Sequence, residues 1–175
     1  MPTIWIVAVF LLGLVALVLS VAAFVPRKHA VSVRARYDQS PKVVWAVITD
    51  ISALPTWRSD VRSIERLPDI AGRMAWIERS KHGTLPFEVV ESDAPRKLVT
   101  RVADDTRKLS FGGTWTWHLR EVANGCELTI TENGFISNSL FRVLTHYGFG
   151  YSRRIEAYLR DLGAKFGEAT TPRVV

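Results

Sequence analysis

One cysteine in 175 residues means that no internal disulfide can form, which excludes a disulfide-stapled secreted scaffold. Four scattered histidines and that single thiol are too few ligands, at the wrong spacings, for a zinc site, so no metal is expected. The chain has no nucleophile elbow, no HExxH and no phosphate-binding glycine loop, and no cofactor is expected either. Internal repeats and low-complexity tracts are also missing. Lys and Arg outnumber Asp and Glu, 23 to 17, for a formal charge of +6. The two signs are interleaved, however, and no basic stripe forms, so nucleic acid is not an expected partner. With 47% hydrophobic and 23% charged residues, the composition excludes a disordered chain.

Charge is missing altogether from Thr3 to Val25, which reads TIWIVAVFLLGLVALVLSVAAFV. At about 1.5 Å rise per residue this helix would be roughly 35 Å long, against a hydrocarbon core of about 30 Å. Trp5 sits near one end, and Pro26-Arg27-Lys28 ends the run abruptly. The competing reading is a cleavable signal peptide, because Ser20-Val21-Ala22 resembles a small-residue cleavage site. No Lys or Arg precedes the run, and its length exceeds a typical signal core, which favours an uncleaved anchor. Arg27, Lys28, Arg34 and Arg36 follow it, predicting an outside N-terminus and a cytoplasmic domain, with export as the alternative. The expected organisation is an anchor over 1–26, one domain over 27–169 and a frayed tail over 170–175.

Residues 30–37 alternate, with Val31, Val33, Ala35 and Tyr37 on one face, as in a half-buried strand. Ser40-Pro41 opens a short helix through Val44, Trp45 and Ile48, and Asp50 or Ser52 caps a second one ending near Pro55 and Trp57. Strand patterns follow at about 61–67, 73–79, 84–92, 97–103, 110–120 and 126–133. Lys81-His82-Gly83 and Asn124-Gly125 read as hairpin turns. The segment 138–167 is predicted as one long amphipathic helix, its apolar stripe including Leu140, Leu144, Gly148, Tyr151, Ile155, Tyr158 and Leu162. The expected fold class is α+β, about seven antiparallel strands with the C-terminal helix laid across them. Such a strongly twisted sheet curls and can enclose space under the helix; a solid core is the alternative.

Three stretches carry a resemblance: SPKVVWAVITDISALPTWRSDVRSIERL, GGTWTWHL and GCELTITENGFI. Together they resemble the SRPBCC superfamily, and within it the polyketide cyclase/dehydrase and lipid-transport branch, over about residues 30–167. The resemblance implies a START-like helix-grip fold with a hydrophobic ligand cavity between sheet and helix. The N-terminal anchor is an addition to that pattern.

Trp115 and Trp117 share strand parity with Phe111 and Leu119, and Thr114, Thr116 and His118 face the other way. These rings, with Trp57, Trp76 and Phe87, are candidates for a cavity wall or simply for core. From the helix stripe, Leu140, Leu144, Gly148, Tyr151 and Ile155 are candidates for the facing wall. Gly148 either leaves room for a ligand or permits close packing, and with Gly150 it allows a kink. Glu132 shares parity with Leu128 and Ile130, so it is the candidate inward carboxylate, orienting a polar head or acting as acid or base. Glu78, on the parity of Trp76, has a lesser claim of the same kind. Arg58 and Asp60 sit at a possible cavity mouth or form a surface ion pair, and the histidines fail as bases on position: His29 is juxtamembrane, His82 in a turn, His146 on a polar face. Gly112-Gly113 resembles a bulge. The expected function is membrane-anchored binding or transfer of a lipid, isoprenoid or polyketide-like molecule. A cyclase or dehydratase using a cavity carboxylate, and a scaffold with a filled core, are the alternatives. The oligomeric state is left open.

Overall fold

The computed structural model describes residues 2–103 and 110–175. Met1 of the expected anchor and residues 104–109 of the expected domain lie outside the described residues. Helix α1 spans Pro2–Phe24, and strand β1 follows at Lys28–Tyr37. Helix α2 (Pro41–Thr49), a 3-10 turn at Ile51–Ala53 and helix α3 (Leu54–Trp57) come next. Six strands run in succession: β2 Val61–Ile70, β3 Arg73–Ser80, β4 Gly83–Asp93, β5 Lys97–Val102, β6 Phe111–Val122 and β7 Gly125–Ile136. Helix α4 (Ser139–Leu144), a π turn at Thr145–Phe149, helix α5 (Arg153–Lys165) and strand β8 (Arg173–Val174) complete the chain.

The eight strands form one antiparallel sheet in the order β2-β3-β4-β5-β6-β7-β1-β8. The six central strands therefore meander, and β1 returns to pair with β7 along its whole length, from Lys28↔Phe135 to Tyr37↔Cys126. The alternation read in β1 has this cause: Val33, Ala35 and Tyr37 face the core while Arg34 and Arg36 face water. On the outer face Glu127 accepts from Arg36 (3.1 Å) and Arg120 (2.7 Å) across neighbouring strands. Against the inner face lies α5, whose Ile155, Tyr158, Leu159 and Leu162 are buried among Val33, Leu128, Ile130, Trp117 and Leu119. The Tyr37 hydroxyl donates to the Leu159 carbonyl at 2.8 Å and ties sheet to helix in the middle of the core.

Helix α1 is long and apolar enough to cross a membrane, and its apolar window is not buried inside the protein. Its last turn is docked: Ala22 and Val25 are buried, and the Arg142 guanidinium of α4 donates to the Ala22 carbonyl at 2.7 Å.

Three expectations change. The long helix is interrupted, because the π turn ends at Gly150, whose φ of +75° suits glycine and breaks the helical path. The tail is not frayed at its end: Val174 pairs with Val33, and the Val175 amide donates to Ser32 (3.0 Å), satisfying an otherwise open sheet edge. This two-residue strand is added to the expected sheet of about seven. Gly112 and Gly113 lie in regular register with Phe135 and Gly134, so there is no bulge. Glycine is needed at 113 because φ is +149° and a Cβ there would overlap the Asn133 carbonyl.

Replacing Tyr37 by Phe removes the buried sheet-to-helix hydrogen bond and little else. Tyr37→Phe is expected to lower the unfolding free energy by about 1 kcal/mol in a urea titration, with an unchanged denaturant slope.

Candidate functional site

Among the described residues, two recesses meet beside the first half of α5. The inner one, about 80 Å³, lies between β3–β6, the α2–α3 corner and the first half of α5. Its walls are aromatic. Trp76 stacks on Phe87 across β3 and β4 with ring centres 5.6 Å apart. On the far side Trp115 and Trp117 of β6 meet the Tyr158 ring at 6.0 and 6.1 Å. The period-two alternation of β3 and β6 aims these rings the same way. The indole N–H of Trp76 is buried and has no acceptor among the described residues; the same is true of Trp57 beneath it.

Charge is buried in the same recess. Glu78, two residues after Trp76 on β3, is 8% exposed, and Arg58 is also 8% exposed. Arg58 holds Asp60 in a two-pronged pair, Nε to Oδ1 at 2.9 Å and Nη2 to Oδ2 at 2.8 Å. Its guanidinium also lies over the Tyr158 ring, 4.7 Å from the centre. The pair is therefore at the recess and not on the open surface, because the α3–β2 corner packs against α5: Arg58 is buried over Tyr158, and the Asp60 side chain is 11% exposed. Burial raises the Glu78 pKa; Arg58 opposes this, Asp60 adds to it, Arg154 opposes it, and burial prevails. Burial likewise raises the Tyr158 pKa, against the pull of Arg58.

The outer recess, about 340 Å³, is bounded by Phe111, Phe135, Phe141 and Tyr151. Arg154 lines both recesses and lies 5.9 Å over the Trp115 ring, so it stands where they meet. Glu132 belongs to the outer recess, and its carboxylate is not free. One oxygen accepts from the Trp115 indole at 2.9 Å, and the other lies 3.2 Å from His29 Nε2. The His29 ring stacks on Tyr151 with centres 4.0 Å apart. His29, set aside as juxtamembrane, thus reaches the site because β1 begins at Lys28 and pairs His29 with Gly134, beside Glu132.

Of the candidate wall residues, Trp76, Phe87, Trp115 and Trp117 line the inner recess, and Phe111, Glu132 and Tyr151 the outer one. Trp57 and Ile155 pack in the core, Trp57 edge-on to Tyr158 at 5.3 Å. Leu140, Leu144 and Gly148 are exposed and line neither recess, because the break at Gly150 turns their segment away from α5. Arg154 is exposed and still lines both recesses; its spacing, four residues before Tyr158, puts the two on one helix face.

A raised Glu78 pKa means that ionising this carboxyl opposes folding. The stability contributed by its neutral form is whole below the ordinary value of 4.5 and is lost as pH rises through the folded value. Glu78→Gln should therefore match the native chain at about pH 4 and exceed its stability at about pH 7, measured by chemical denaturation at both. Parallel pH profiles would contradict the assigned environment.

The family model described as polyketide cyclase / dehydrase and lipid transport matches residues 28–166. No curated protein sequence matches the chain. Several solved structures share its fold. A START superfamily protein from Mycobacterium smegmatis superposes with a TM-score of 0.62 at 13% identity, covering 78% of this chain and 96% of that one. The Zhui aromatase/cyclase from Streptomyces sp. R1128 gives 0.60 at 12% identity, covering 79% and 90%. Ginseng major latex-like protein 151 from Panax ginseng gives 0.61 at 11% identity, covering 80% and 98%. At these identities the likeness concerns the fold. The family match spans β1 to β7 and α5, and the chain belongs to the polyketide cyclase/dehydrase and lipid transport family.

Proposed function

We propose that this chain binds a hydrophobic small molecule, a lipid, isoprenoid or polyketide-like compound, and that α1 holds the binding domain at a membrane. The observation that carries this reading is the junction at Arg154 between a narrow aromatic recess with buried charge and a wider apolar one. A ligand spanning both would place its hydrocarbon among Phe111, Phe135 and Phe141 and its polar group near Glu78 and Arg58. The Trp76 N–H, buried without an acceptor, offers such a group a donor. The inner volume of about 80 Å³ is below the roughly 300–1,000 Å³ of a site for a drug-sized molecule, so binding requires the inner recess to widen. A domain tethered at the bilayer meets lipid-soluble ligands at a raised effective concentration. Arg27 and Lys28, directly after the apolar run, support an N-terminus-out, domain-in orientation.

A second reading, a cyclase- or dehydratase-type enzyme, is favoured by Glu78. A buried carboxyl that stays protonated at higher pH is suited to donating a proton to a ligand oxygen. Glu132, already engaged by Trp115 and His29, is better placed to position than to react. The filled-core scaffold is the weakest reading, since two open recesses run against it.

Native mass spectrometry of the full chain extracted in mild detergent tests the proposal. The chain is expected to carry a hydrophobic mass, and Val102→Trp, which fills the inner recess, should lower its occupancy about tenfold, equivalent to ~1.4 kcal/mol. Circular dichroism should be unchanged. A chain that is always empty, or a filled variant that is equally loaded, would overturn it. Under the enzyme reading, Glu78→Gln retains the bound mass and loses the converted product.

A further inference from the structure

The link between β7 and α5 has two faces with different roles. Inward, Arg142 is 5% exposed and donates to three carbonyls: Ala22 at 2.7 Å, Ile136 at 3.1 Å and Ser137 at 3.2 Å. A guanidinium on the last carbonyls of a helix is a favourable C-terminal cap, and here the cap comes from another element and locks α4 to the end of α1. Phe141 and Thr145 of the same link line the outer recess.

The outward face is apolar. Leu140 is 55% exposed, Leu144 44% and Tyr147 69%, and Phe141 is itself 45% exposed while lining the recess. Between Ser139 and Phe149 the only Lys, Arg, Asp or Glu is Arg142, which is turned inward. The neighbouring Phe24 of α1 is also exposed. Depth follows from the docking. The Arg142 contact is at Ala22, and the apolar run ends at Val25, so at about 1.5 Å per residue α4 sits within roughly 5 Å of the end of the run. An amphipathic segment at a bilayer interface buries its apolar face about 5–10 Å deep, which is this level. Exposed Arg27, Lys28 and Arg153 flank the patch, where they would meet anionic headgroups.

We propose that residues 139–149 form a second membrane-contacting element, lying in the lipid interface beside α1 and holding the mouth of the outer recess against the bilayer. The proposal rests on the reading of α1 as a spanning helix. The occupant of this apolar face is lipid, by continuity with the anchor to which α4 is pinned. A ligand then passes between bilayer and recess along Phe141 without crossing water, and Arg142 sets the angle at which the domain is held.

The test uses the full chain in phosphatidylcholine proteoliposomes, with a bimane fluorophore at Leu12→Cys or at Tyr147→Cys and the buried Cys126 left in place. The lipids carry bromine either near the headgroup or near the chain ends. Both positions are expected to be quenched. Position 147 should be quenched several-fold more by the shallow bromines than by the deep ones. Quenching at 12 with none at 147 would overturn this inference and leave the anchor standing. No quenching at 12 would overturn the spanning helix, and this inference with it.

Discussion

The seating of α5 across the sheet governs everything else in this molecule. Tyr37 donates to the Leu159 carbonyl at 2.8 Å, and Ile155, Leu159 and Leu162 are fully buried against β1 and β7. That side of the helix packs as a solid core. On the other side Tyr158 wedges between Trp57, Trp115 and Trp117, and large rings meeting edge to face or tilted do not fill the curve of the sheet. The inner recess is the space they leave. Its position follows from where the small side chains stop and the aromatic ones begin.

The polar groups of that recess are costly for stability. A buried ion pair such as Arg58–Asp60 seldom outperforms well-packed apolar residues, and Glu78 beside it adds a carboxyl that burial drives toward its neutral form. Under the proposed function their placement suits a recognition surface. A donor-rich arginine, a protonatable acid and an unpartnered indole N–H converge on one small volume with aromatic walls. The outer recess is richer in apolar side chains, Phe111, Phe135 and Phe141 among them, and its Glu132 carboxylate is already engaged by His29 and Trp115.

Much of the architecture was legible in the sequence, because strand alternation and turn chemistry are local signals. β1, β6 and β7 appear close to where period-two patterning puts them, and the aromatic row of β6 faces inward as its parity requires. What escaped were features set by tertiary context. The 100° periodicity continues in the sequence past Gly150, but a positive φ there ends the helix, so Leu140 and Leu144 face outward. Arg58 and Arg142 look like surface charges in sequence, and only the approach of α5 and α1 buries them. His29 entered the site through the register of β1 with β7, which no local pattern encodes.

Helix α1 and the outer recess belong to one arrangement. Arg142 fixes α4 to the last turn of α1, and the residue beside it, Phe141, is part of the outer recess, so under the proposed function the path from lipid to ligand site is short. The central claim is that the space under α5 receives a molecule. The most direct measurement is an electron-density map of the full chain purified from membranes together with whatever it carries. The account predicts continuous non-protein density from Trp76 and Glu78, past Arg154, to Tyr151, with the inner recess widened beyond about 80 Å³. An inner recess of unchanged volume that contains only water would contradict it.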